Sequence, residues 1–113
     1  MHVPARADAR AAAEMATRAG EVLLAVRERG GEPGAMNDAG DRASQECLAA
    51  LLDDRFPADA ILSEEAADDS DRLTDRRVWI IDPLDGTREF SEPPRDDWEL
   101  HVTVIATCRE VVA

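Results

Sequence analysis

Val78, Trp79, Ile80 and Ile81 are apolar in succession and run directly into Asp82. A strand with apolar side chains on both faces has to be covered on both faces, so this segment is expected at the centre of a sheet. A chain of 113 residues has room for one such domain and little for a second. Hydrophobic residues make up 44%, enough for a packed core and against wholesale disorder.

The flanking segments predict what covers that strand. Residues 8–29 read as an amphipathic helix, with Met15, Ala19, Val22, Leu23 and Val26 on one stripe and Arg18, Glu21, Arg27 and Glu28 on the other side. Gly30 and Gly31 stop it. Residues 30–40 read as a loop, and a second helix is expected to begin near Asp41, where a carboxylate suits free backbone N–H groups. Its stripe is Ala43, Cys47, Ala50, Leu51 and Phe56, and Pro57 ends it. Ala60, Ile61 and Leu62 predict a short strand that delivers Ser63, Glu64 and Glu65 to its C-terminal end. Residues 66–76 read as an acidic loop or short helix, and 91–97 as a loop. From Trp98 to Thr107 the pattern has period two: Trp98, Leu100, Val102, Val104 and Ala106 on one side, Glu99, His101, Thr103 and Ile105 on the other. The expected class is α/β, two helices followed by sheet strands.

Charge removes several kinds of partner. The 25 acidic residues outweigh 13 basic ones, a formal net charge of −12, and every basic residue is arginine. Nucleic acid and anionic membrane surfaces need a basic face, so neither is an expected partner. The longest apolar run, Cys47 to Leu52, is far below the roughly 20 residues of a membrane span. Met1 to Ala13 lacks a secretory apolar segment. Cys47 and Cys108 have no metal-type spacing; a disulfide is arithmetically open, and two reduced, buried thiols in a cytoplasmic protein are expected.

The chemistry concentrates in Asp82-Pro83-Leu84-Asp85-Gly86-Thr87. Two carboxylates three apart at a strand end, with Glu64 and Glu65 at the end of another strand, predict a hard-cation site such as Mg²⁺. Pro83 restricts the backbone so that Asp82 and Asp85 converge. A helix turn starting at Gly86 would set free N–H groups beside the cation, a combination suited to metal-assisted phosphate ester hydrolysis.

This hexapeptide resembles the first metal-binding motif of the inositol monophosphatase-like, Mg²⁺-dependent, Li⁺-sensitive phosphatases, and Ser63-Glu64-Glu65 resembles the other half of that signature. The continuation Thr87-Arg88-Glu89-Phe90, with Arg95-Asp96-Asp97-Trp98, looks most like the CysQ-type branch, the 3′(2′),5′-bisphosphate nucleotidases. The resemblance implies a layered α/β sandwich. It implies removal of the 3′-phosphate of 3′-phosphoadenosine 5′-phosphate by a metal-activated water. By the same resemblance Glu64, Asp82 and Asp85 ligate Mg²⁺ by side chain and Leu84 by its carbonyl, with Glu65 behind them. Asp41 and Thr87 orient the water; Gly86, Thr87 and Arg88 meet the phosphate. Li⁺ inhibition is expected.

Only the N-terminal part of that family is matched. The family's second motif, around a Trp-Asp pair, has no counterpart, because no aspartate follows Asp97. The chain is therefore expected to be the front of a larger domain, inactive alone and prone to self-association. The lysine and the Ser/Thr-rich stretch common before the helix-start aspartate are replaced by Met36-Asn37-Asp38-Ala39-Gly40. Alternatives are an inositol 1-phosphate or fructose 1,6-bisphosphate phosphatase and, in another class, a non-catalytic acidic module that binds divalent cations or a partner. Arg95 is expected in solvent, His101 packed within its strand, and Trp79 and Trp98 in the core.

Overall fold

The structure, a computed structural model, describes residues 6–63 and 77–106. Helix α1 runs Arg6–Arg29. Gly30 and Gly31 follow with φ of 72° and 118°, and the Gly30 N–H donates back to the Arg27 carbonyl at 3.0 Å. These backbone angles favour residues without Cβ, which explains why the helix stops there.

Helix α2 spans Pro33–Arg55, not the shorter segment expected from Asp41. Proline at a first helical position loses no hydrogen bond, because that N–H has no intrahelical acceptor anyway. Pro33 therefore opens the helix instead of marking a loop. Gly40 also lies inside it and is buried. The buried positions of α2 are Met36, Gly40, Ser44, Leu48 and Leu52, a strict four-residue spacing. Cys47, Leu51 and Phe56 flank that line and are partly buried, whereas Ala50, expected inside, is exposed.

Among the described residues three strands form one sheet in the order β1-β2-β3: β1 Ala60–Ser63, β2 Arg77–Asp85 and β3 Glu99–Ala106. β1 pairs parallel to β2, and β3 pairs antiparallel. The expected central strand is thus central. A one-turn helix, α3 (Thr87–Phe90), follows β2 directly.

Both long helices cover one face of the sheet. Trp79 and Ile81 of β2 are buried with Met15 and Ala19 of α1 and Leu48 and Leu52 of α2, and Leu100 and Val102 of β3 pack against them. Burying each large apolar side chain contributes about 1.5–3 kcal/mol. The Trp79 indole N–H donates to Asp59 Oδ2 at 2.8 Å, so this core tryptophan leaves no unpaired donor. A second cluster lies at the end of β2, where Leu84 and Phe90 meet Leu23, Val26 and Met36. Among the described residues, no helix is long and apolar enough to cross a membrane.

Candidate metal centre

Residues 82 and 85 are an odd number apart, so in a regular strand their side chains would point to opposite faces. The pairing of β2 with β3 breaks that rule. Asp82 pairs with His101 and Asp85 with Glu99, so three steps on β2 match two on β3. The extra residue is a bulge at Pro83-Leu84. Ile81 and Leu84 consequently both point toward the helices, and Asp82 and Asp85 both lie on the opposite face. Proline suits the extra position because it has no N–H to give to the ladder.

Oxygen atoms of Asp82 and Asp85 and a ring nitrogen of His101 all lie within 4.8 Å of one another. Two ligands on one Mg²⁺ stand at most about 4.2 Å apart, twice a bond length of about 2.1 Å. Side-chain adjustment of about half an ångström brings the set to that spacing. Two hard carboxylate oxygens on one face fit Mg²⁺. Asp85 and His101 are exposed and Asp82 is half-buried. His101 Nε2 stands 3.4 Å from Asp85 Oδ2 and 3.6 Å from Glu99 Oε1. The expectation that His101 is packed within its strand is therefore incorrect. It alternates onto the face opposite the helices, with a side chain 47% exposed beside the carboxylates.

Gly86 joins β2 to α3 in the left-handed conformation, φ 82° and ψ 51°. A Cβ there would stand 3.3 Å from the Asp97 carbonyl oxygen and 3.3 Å from Trp98 Cα. The glycine therefore serves both the turn and the close approach of the following loop. Thr87 starts α3 and is exposed. The Phe90 N–H donates to the Gly86 carbonyl at 2.9 Å, closing the turn.

Asp41 lies well inside α2, so its expected place at a helix start is incorrect, and the dipole argument made for it does not hold. It follows Gly40, whose Cα faces the Phe90 ring: a Cβ at Gly40 would come within 2.7 Å of Phe90 Cε2. That contact places Asp41 next to the point where α2 meets α3, although it is not in the group that converges with Asp82 and Asp85. The expected loop glycine is thus a packing site. Glu64 and Glu65 lie outside the described residues, as does Cys108. Arg88 is 80% exposed and pairs with Glu92 at 3.4 Å. Arg95 is held by Glu92, Glu89 and Asp97, which leaves it little capacity for a substrate phosphate.

Arg27, expected on the solvent side of α1, reaches under the motif instead. Its Nε donates to the Phe90 carbonyl at 2.7 Å, and its terminal nitrogen donates to the carbonyls of Glu89 and Arg95. The guanidinium lies 5.7 Å from the Phe90 ring centre and 5.4 Å from that of Trp98. Those two rings meet edge to face at 5.1 Å. Trp98 is thus a packing residue, as expected. Nothing in the helical period distinguishes Arg27, because its partners are more than 60 residues away.

A sequence model described as the inositol monophosphatase family matches residues 3–94. A 3′-phosphoadenosine 5′-phosphate phosphatase of Mycobacterium leprae is 54% identical over 99 residues, covering 86% of this chain and 36% of the relative. CysQ from Bacteroides thetaiotaomicron, a bacterial member of the inositol monophosphatase family, superposes with a TM-score of 0.68 at 29% identity, over 89% of this chain and 38% of that one. Inositol monophosphatase II from Staphylococcus aureus superposes with a TM-score of 0.79 at 20% identity, over 90% and 39%, which speaks for the fold alone. The chain spans about a third of the length of the curated relative it matches.

Proposed function

Because the chain belongs to the inositol monophosphatase family, we propose that it carries the carboxylate part of a Mg²⁺-dependent phosphomonoesterase site whose substrate is 3′-phosphoadenosine 5′-phosphate. The observation that carries the metal reading is the bulge that sets Asp82 and Asp85 on one face. The substrate reading is supported by the phosphatase relative at 54% identity. The Thr87-Arg88-Glu89-Phe90 continuation supports it as well.

In this reading Asp82 and Asp85 hold the cation, joined by Glu64 and the Leu84 carbonyl, with Glu65 behind. The chemistry supplied there by Mg²⁺ is polarisation of the phosphoryl oxygens and acidification of water. Asp41 and Thr87 would orient the attacking water, and a carboxylate such as that of Asp41 would take up its proton. Backbone N–H groups of Gly86 and Thr87 receive the phosphate, and Arg88 neutralises it from the solvent side. Water adds to phosphorus as the ester P–O bond breaks. The 3′ oxygen leaves with a proton, giving inorganic phosphate and adenosine 5′-monophosphate. Li⁺ inhibits by occupying the cation position. A cytoplasmic setting accords with the free Cys47 thiol.

The test is phosphate release by the protein of the complete reading frame. The substrates are 3′-phosphoadenosine 5′-phosphate, inositol 1-phosphate and fructose 1,6-bisphosphate, each with and without Mg²⁺. Mg²⁺-dependent release from the first is expected. Preference for inositol 1-phosphate would overturn the substrate reading only. Cation binding without turnover on any of the three would favour a non-catalytic acidic module.

A further inference from the structure

We propose that His101 is a nitrogen donor to the cation held by Asp82 and Asp85, and that it shifts this site toward first-row transition ions relative to Mg²⁺. The inference rests on the metal reading above and adds a residue that lies outside the acidic motif.

The placement comes from the sheet. His101 is the direct cross-strand partner of Asp82, so the two side chains rise from adjacent points on the same face. The bulge then brings Asp85 to that face as well. Two distances describe the imidazole there. Nε2 is 3.4 Å from Asp85 Oδ2 and 3.6 Å from Glu99 Oε1. Both are long for an N–H···O hydrogen bond, whose usual length is about 2.9–3.0 Å. The first falls between the separations of neighbouring and of opposite ligands on an octahedral ion, about 3.0 and 4.2 Å for bonds of about 2.1 Å.

Nor is an ion pair a sufficient reason for the histidine. His101 and Asp85 are 47% and 57% exposed, and ion pairs in that setting contribute little. Ligand chemistry sets the direction of the effect. Mg²⁺ takes oxygen and keeps its waters, whereas imidazole nitrogen is a good ligand for first-row transition ions. A site of two carboxylates and one imidazole therefore gains affinity for the latter while its affinity for Mg²⁺ stays set by Asp82 and Asp85.

The experiment uses the protein of the complete reading frame, with Mn²⁺ as the probe. Electron spin-echo modulation of the bound Mn²⁺ is expected to show coupling to an imidazole ¹⁴N that is lost in both His101→Ala and His101→Gln. Calorimetry with Ni²⁺, an ion that imidazole suits, is expected to show its affinity falling at least about tenfold in both variants. Mg²⁺ affinity should change by less than about twofold, since oxygen ligands set it. Bound Mn²⁺ without ¹⁴N coupling in the unsubstituted protein would overturn the role of His101 and leave the carboxylate site standing, whatever the variants do. Coupling that persists in both variants would do the same. Failure of Mn²⁺ and Mg²⁺ alike to bind would overturn the metal reading and this inference with it.

Discussion

Arg27 donates from Nε to the carbonyl oxygen of Phe90 at 2.7 Å while its guanidinium lies 5.7 Å from the centre of the Phe90 ring. One side chain of the first helix thus holds both the backbone and the ring of the residue that ends α3. The turn that follows the acidic motif is anchored to α1 across 63 residues of sequence.

Replacing Arg27 with Ala should destabilise the protein by about 2–3 kcal/mol, since a partly buried charged donor to several carbonyls is lost. Lysine should recover only part, because its ammonium cannot reproduce the planar fork or the contacts of a flat guanidinium with both rings. Urea unfolding gives the magnitude. Hydrogen exchange should locate the loss in residues 87–98, and full recovery by lysine would contradict a role for the three-carbonyl fork.

Two glycines in helices should respond in opposite directions. Gly40→Ala drives a Cβ to 2.7 Å from Phe90 Cε2 and 3.3 Å from Leu23 Cδ2. The expected cost of overpacking, about 1–3 kcal/mol, exceeds the gain of up to about 1 kcal/mol from helix propensity. Gly20→Ala meets only Leu100 Cδ2 at 3.9 Å, an ordinary contact. It should therefore stabilise by about 0.5–1 kcal/mol. Denaturation midpoints of the two variants, measured together, check both signs.

Gly86→Ala combines a left-handed backbone, φ 82°, with contacts of 3.3 Å to Asp97 and Trp98. The backbone conformation alone costs about 1–2 kcal/mol. Because Gly86 adjoins Asp85, Mg²⁺ affinity should fall along with thermal stability. Unchanged Mg²⁺ affinity in a destabilised variant would separate the turn from the metal centre.

Asp82→Asn should abolish Mg²⁺ binding without loss of metal-free stability, because the carboxylate faces away from the core and next to another acid. In the unsubstituted protein, Mg²⁺ at a hundredfold excess over Kd should stabilise by about 2.7 kcal/mol. Thermal unfolding with and without Mg²⁺ should show an upward shift that the variant lacks.

Hydrogen bonding from Arg95 holds the Asp97 carboxyl below its usual value of 3.8. A depressed folded pKa contributes stability that is present above the unfolded value and is lost as pH falls through the folded one. Asp97→Asn should therefore match the parent in acid and fall below it above about pH 4. Stability curves against pH check this, and a difference growing toward low pH would contradict the sign.

Local pattern made most of the elements legible. The apolar run Val78–Ile81 implied a central strand, the period of two implied β3, and paired glycines ended α1, because these features depend on neighbours one to four residues away. The hexapeptide from Asp82 to Thr87 likewise marked the segment whose two carboxylates share one face in the fold. Other features came from distant contacts. Gly40 reads as a loop residue, and the Phe90 ring packed on it is what requires a glycine inside α2. Arg27 reads as solvated, yet it donates to three carbonyls from another part of the chain. His101 joined the carboxylates only through strand register, which a sequence does not display, and Asp85 shares their face only because β2 holds one residue more than β3 across the bulge. Local pattern determined most of the elements that form and set two carboxylates at the end of β2. Tertiary structure alone decided which side chains meet, because convergence depends on a pairing register set by packing across the whole sheet.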